Sequence, residues 1–269
     1  MFHLELFHSG VGVSAAFQQL TYFKSSNILP AINNGAQVSA TLPYVKWVAA
    51  ISTNIGNVRL QAPSMLPFPY PTLAPNNRAT ISQNPPRVWD FSAAPIPLRP
   101  TEEFDVFCTM SGAAGEAPNV GVLFTDNVVT PAPAGRFFSA HWTAAVTTIA
   151  GGWTVVQPIF DQALPAGFYA LIGARVMSAS AQFFRLFPAM APLWRPGGLA
   201  VTLYDQMDSH KQRGFDSYGG PIGPWGVWLS FYQNVPPQVE VFTVAADPVV
   251  EGLFDLIQVS QATSIPNAP

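Results

Sequence analysis

Charge is scarce in this chain: Asp, Glu, Lys and Arg make up 10% of its 269 residues, against about 25% in ordinary soluble proteins. A surface so poor in charge keeps a bare monomer in solution badly. Much of it is therefore expected to be covered by copies of the chain or by a partner, the alternative being a sparsely charged monomeric β-domain. Lys and Arg never cluster and the net charge is −3, which argues against direct nucleic-acid binding, because neutralising phosphates takes grouped cations. The single cysteine, Cys108, rules out an intramolecular disulfide. That fits assembly in a reducing cytoplasm and equally an exported protein built without disulfides. No run approaches the roughly 18 apolar residues of a membrane helix, and the opening MFHLELFHSG lacks the basic start and apolar centre of a secretion signal. A soluble chain without a cleaved signal is expected. No P-loop, G-x-S-x-G, G-x-G-x-x-G or metal-type His pair occurs, and no long helix can be read.

What is abundant is apolar residues, 49%, with 27 prolines and 20 glycines spread along the chain rather than gathered in a tail. Many short strands joined by turns follow from that distribution, and with them an all-β fold. The strand readings are Ala36–Leu42, Val45–Ile51, Asn57–Gln61, Phe104–Met110, Val120–Phe124, Trp153–Phe160, Phe168–Met177, Ala181–Phe187, Pro224–Phe231 and Val239–Ala245. Phe104–Met110 and Val120–Phe124 read as partners across the Gly-rich loop Ser111–Asn119. Leu164-Pro-Ala-Gly167 reads as the turn launching Phe168–Met177, and Pro188, Pro192 and Pro196 halt regular structure after Phe187. Arg136–Ile149 fits a strand or a short helix, and Val11–Phe23 a short helix or an extended arm. Met65–Pro75 reads as an irregular packed loop, because Phe68 and Tyr70 are costly to leave in water. Thr130–Gly135 is the best boundary, dividing the chain into halves 1–130 and 131–269. A faint echo links them: Arg59-Leu60 with Arg185-Leu186, and FDVF at 104–107 with VEVF at 239–242. It favours two similar β-domains in tandem over one large barrel.

Few residues suggest chemistry. The polar loop Tyr204–Gly223 carries Asp205, Asp208, His210 and Asp216, an oxygen-rich set that could hold calcium. Lys211 and Arg213 sit among them, and a solvated or subunit-contact loop is the favoured reading. Glu103 and Asp105 share one face of a strand, the paired carboxylates that glycoside hydrolysis requires, although such partners usually come from different elements. Cys108 has no local base to activate it and reads as a buried, inert thiol. Trp194, Trp225 and Trp228 could stack on sugars, but core or subunit-contact roles are favoured. No catalytic, cofactor or metal residue is therefore expected. The candidates for contact surfaces are Phe2, Phe7, Phe17, Phe68, Tyr70, Trp194, Arg195, Trp225 and Trp228.

With its tandem β halves, the LPAGFYALIGARVMSASAQFFRLF strand pair, Pro-rich loops, low charge and lack of an active-site motif, the chain resembles the double jelly-roll major capsid proteins of tailless icosahedral viruses. Architecturally the resemblance spans the whole chain; at motif level it covers Leu164–Val241. It implies two eight-stranded jelly rolls with little helix, trimeric pseudo-hexagonal capsomers, and a coat function in the virion after assembly in the host cytoplasm. The implied partners are further copies of the chain, other capsid proteins such as a vertex protein, and an internal membrane; no cofactor is implied. The segment Met1–Phe23 is expected to form an arm, and Ile257–Pro269 a tail, reaching neighbours or a membrane. The alternatives are a β-sandwich carbohydrate-binding module or virion spike that attaches to host glycans, and a jelly-roll glycosidase.

Overall fold

The computed structural model describes residues 1–8, 16–23, 29–51, 55–73, 88–110, 118–189, 194–200 and 226–259. Its contacts separate two compact units, Met1–Val128 and Val129–Pro269. Both are built from antiparallel strands, and among the described residues the only helical element is one 3-10 turn, Pro63–Met65. No helix among the described residues is long and apolar enough to cross a membrane.

The first unit contains β1 (Phe2–His8), β2 (Gln18–Gln19), β3 (Thr21–Tyr22), β4 (Ala31–Ile32), β5 (Gly35–Gln37), β6 (Tyr44–Ile51), β7 (Ile55–Gln61), β8 (Thr72–Leu73), β9 (Val88–Asp90), β10 (Ile96–Pro97), β11 (Glu103–Met110) and β12 (Asn119–Thr125). One sheet runs β10-β6-β12-β1-β3, with β9 also on β6; the other runs β4-β5-β11-β7-β8, with β2 on β11. The second unit contains β13 (Arg136–Ala145), β14 (Gly152–Val156), β15 (Ile159–Phe160), β16 (Phe168–Met177), β17 (Ala181–Phe187), β18 (Gly197–Leu199), β19 (Leu229–Tyr232), β20 (Gln238–Thr243) and β21 (Val249–Val259). Its sheets run β15-β13-β21-β16-β19 and β14-β20-β17-β18.

The two units repeat one plan. Setting aside β2, β3, β4, β9 and β15 leaves eight strands among the described residues of each unit. In both units these pair as first-eighth-third-sixth in one sheet and second-seventh-fourth-fifth in the other. Irregularities repeat as well. The third strand carries one extra residue opposite the eighth, Lys46 in the first unit and Ile172 in the second. The fourth strand is bulged near its start, between Ile55 and Val58 in one unit and at Gln182 in the other. Bulges bend a strand and sharpen its twist, and here they recur on the same strands of the order in both units.

Alternation decides which side chains meet inside. In the first unit Phe7, Val48, Val120, Val122 and Phe124 from one sheet meet Val58, Leu60, Phe104, Val106 and Cys108 from the other. Phe104 stands edge-on to Phe124 with ring centres 5.2 Å apart. In the second unit Trp142 and Phe254 pack with ring centres 5.5 Å apart. A Cβ on Gly252 would lie 2.6 Å from the Trp142 ring, so the strand opposite that indole must carry glycine. Asp247 fixes the corner between β16 and β17. It accepts from Ser178 Oγ at 2.7 Å and from the Ala179 amide.

Several expectations need correction. Phe2–His8 is no arm: β1 lies between β12 and β3, and six of its seven residues are buried. Phe2, Leu4 and Leu6 alternate with His3 and Glu5, so the strand pattern was present; the two polar residues are buried because they pair with each other. Ile257 begins no tail either, because β21 continues through Val259 in the middle of its sheet; residues 260–269 lie outside the described set. Phe104–Met110 and Val120–Phe124 are strands but not partners; β11 and β12 belong to different sheets. The same separation applies to Phe168–Met177 and Ala181–Phe187. Arg136–Ile149 is strand as far as Ala145, and Trp153–Phe160 is split into β14 and β15 at Gln157-Pro158.

Candidate functional site

The sequence candidates scatter when placed in the fold. Phe2, Phe7 and Trp228 are at most 1% exposed, so alternation and packing have turned them inward and removed them as contact residues. Arg195 is also buried, its guanidinium 3.6 Å over the Phe187 ring and 3.3 Å from Glu240, and so serves its own unit. Trp194 and Phe17 are half-buried. Tyr70 packs against the core of the first unit, whereas Phe68 is 76% exposed and Leu66 57%. The loop at Met65 is therefore packed at Met65 and Tyr70 but bare at its tip, contrary to the expectation of a fully packed loop. Its base is fixed by Glu102, which accepts from the Ser64 amide at 2.8 Å and the Arg99 amide at 2.7 Å. Trp225 and the candidate cation ligands Asp205, Asp208, His210 and Asp216 lie outside the described residues. Among the described residues no three His, Cys, Asp or Glu side chains converge as a metal ion requires.

Glu103 and Asp105 do share the outward face of β11, but each is engaged by an amide. Asn33 Nδ2 donates to Glu103 at 3.2 Å, and Gln19 Nε2 to Asp105 at 2.8 Å. Burial and the neighbouring Glu103 charge push the Asp105 carboxyl above its ordinary range, against the pull of the Gln19 hydrogen bond. Cys108 faces the core, and burial pushes its thiol up to about 12. A thiol so rarely ionised is a poor nucleophile.

What the structure brings together, and the sequence did not reveal, is a pair of arginine clusters on the outward faces of the second sheets. Leu60 and Leu186 point into the cores and are fully buried, which turns Arg59 and Arg185 outward by alternation. In the second unit Arg185 Nε donates to Glu240, directly opposite on β20, at 2.5 Å, and its guanidinium stacks 4.2 Å from the Trp153 ring. In the first unit the residue opposite Arg59 on β11 is Phe107. The Arg59 guanidinium lies 4.3 Å from the Phe17 ring and 5.1 Å from the Phe107 ring. The echo in the sequence marked these two arginines, yet nothing in it showed that one has a carboxylate opposite and the other a phenyl ring.

A further polar group lies on the second unit's first sheet. His141 Nδ1 meets Asp161 at 2.5 Å and its Nε2 faces Glu251 at 3.5 Å, while Asp255 accepts from Ser139 and Arg175. Beside it a pocket of about 400 Å³ opens between Arg136, Phe138, His141, Asp161, Leu164 and Gln258.

No known family matches the chain, and no curated protein is similar to it. Among solved structures it is similar to the major capsid protein P2 of bacteriophage PM2, at 11% identity over 98% of this chain and 100% of that one, with a TM-score of 0.27.

Proposed function

We propose that the chain is a viral coat protein, two jelly rolls in tandem, that assembles through trimeric capsomers into an icosahedral shell. The observation carrying this reading is the repeated strand order, first-eighth-third-sixth against second-seventh-fourth-fifth, together with the repeated bulges. In such an order most connections cross from one sheet to the other, so the two faces are tied by the chain itself, and that is the wiring of a jelly roll. A sandwich whose two sheets are tied together by the chain itself suits a building block.

Surface chemistry supports the same reading. Full burial of a Leu, Ile or Phe side chain is worth about 1.5–3 kcal/mol, yet Phe68, Leu66, Ile149 and Ile159 are each more than half exposed. With charged residues at 10% of the chain, contact with neighbouring copies recovers what the lone chain forgoes. The glycan-binding alternative loses Trp228, which is buried and cannot stack on a sugar.

Light scattering coupled to size exclusion, with negative-stain images of the peak, tests this directly. Trimers of hexagonal outline, or larger sheets and shells, are expected. A 29 kDa monomer at every concentration would overturn the proposal.

A further inference from the structure

We propose that Arg59 is an intermolecular docking point, held ready by Phe17 and Phe107 to receive a carboxylate from a second copy of the chain. The inference rests on the self-assembly reading and names a contact within it.

Position comes first. Asn57, Arg59 and Gln61 alternate outward along β7, with Thr72 of β8 opposite Arg59 on one side and Phe107 of β11 on the other. Among the described residues no carboxylate pairs with Arg59. The acids on that face are engaged elsewhere, Asp105 by Gln19 and Glu103 by Asn33. The Arg59 Nε is shut off from water without a hydrogen-bond partner, although the residue as a whole is half-buried. A guanidinium presents five donors in a planar fork that matches a carboxylate in two parallel bonds.

The second unit shows what this position does when satisfied within the chain: Arg185, on the equivalent strand, has Glu240 across the ladder and an aromatic face beneath it. The first unit keeps the arginine and the aromatic support and lacks the acid. Its two phenyl rings limit the motion of the Arg59 side chain, so little freedom is lost on docking. Acid for the purpose is in excess over the whole chain, 15 Asp and Glu against 12 Lys and Arg.

The test compares wild type, Arg59→Gln and Arg59→Lys as full chains by size exclusion with light scattering, over a concentration series at low and high salt. Wild type is expected to associate, less readily in high salt. Arg59→Gln is expected to need on the order of tenfold or more protein for the same association, with its thermal melt close to wild type. Lysine is expected to fall between them, because an ammonium cannot form the paired fork. Association of Arg59→Gln equal to wild type would remove Arg59 as a docking point and leave self-assembly standing, whereas a wild type that never associates would remove both. A second measurement needs no variant. An arginine-selective dicarbonyl reagent, read by mass spectrometry, should modify Arg59 in salt-dissociated wild type and spare it in the assembly. The buried Arg185 serves as a control that is spared in both. Equal Arg59 modification in both states would overturn the proposal.

Discussion

Arg59 and Arg185 occupy the equivalent strand of the equivalent sheet in two units of one chain, and their surroundings differ most in the residue that stands across the ladder. Across the ladder from Arg185 stands Glu240, which also faces Arg195, and all three are buried or nearly so. Across from Arg59 stands Phe107. A buried guanidinium with its carboxylate is a fixed part of its own unit, because removing either partner strands a charge away from water. A half-buried guanidinium between phenyl rings needs no such partner to fold, since its ring contacts contribute only about 0.5–1 kcal/mol each. One backbone plan thus carries an internal brace in one copy and an outward-facing cation in the other.

The comparison breaks most sharply at Glu240. Glu240→Ala should destabilise the second unit by about 3–5 kcal/mol, seen as a lower urea midpoint for the near-ultraviolet signal of Trp142 and Trp153. A midpoint within error of wild type would show that Arg185 and Arg195 do not depend on it. Gly197 is packed just as closely: a Cβ there would lie 2.2 Å from the Phe184 carbonyl oxygen and 2.7 Å from Arg185 Cα. Gly197→Ala must therefore push β18 off β17 and should cost about 1–3 kcal/mol in the same melt. Phe107→Glu imports the missing acid into the first unit. If Arg59 is then satisfied within its own chain, association should fall as it does for Arg59→Gln while the fold persists; undiminished association would separate the two arginines for good. Least affected should be the folding stability of Arg59→Ala, which is expected within about 2 kcal/mol of wild type.

Two carboxylates sharpen the contrast between the units through pH. Burial alone would raise Asp247, but hydrogen bonds from Ser178 and from the amides of Val249, Ala179 and Ser180 outweigh it and hold its carboxyl below the usual range. Its contribution is therefore present at neutral pH and is lost as pH falls through that lowered value. Asp105 is shifted the other way, by burial and by Glu103. The folded state then holds its proton longer than the unfolded chain does, so its contribution is present in acid and is lost as pH rises through the raised value. Asp247→Asn should remove part of the acid-side loss and cost about 1–3 kcal/mol at neutral pH. Asp105→Asn should leave neutral-pH stability equal or higher. Denaturation midpoints across an acidic-to-neutral series decide both, and a parallel response of the two variants would refute the assignment.

Strand identity was legible wherever one element could be read alone. Phe168–Met177 and Ala181–Phe187 stand where the apolar runs put them, and Val45–Ile51 lies within β6. Two long strands were passed over although each alternates: in β1 Phe2, Leu4 and Leu6 alternate with His3 and Glu5, and in β21 Val250, Phe254 and Leu256 alternate with Glu251 and Asp255. Partners were read poorly. Neighbours in sequence were expected to pair, and the chain instead sends β11 and β12, or β16 and β17, to opposite sheets.

Composition and turn spacing by themselves determined an all-β chain of short strands, and the repeated Arg-Leu step at 59–60 and 185–186, because both are local properties of the chain. Only the tertiary structure decided which strands share a ladder and in what register. Those two facts place Glu240 before Arg185 and Phe107 before Arg59. The residues concerned are 55 and 48 positions apart, and no local pattern reaches that far.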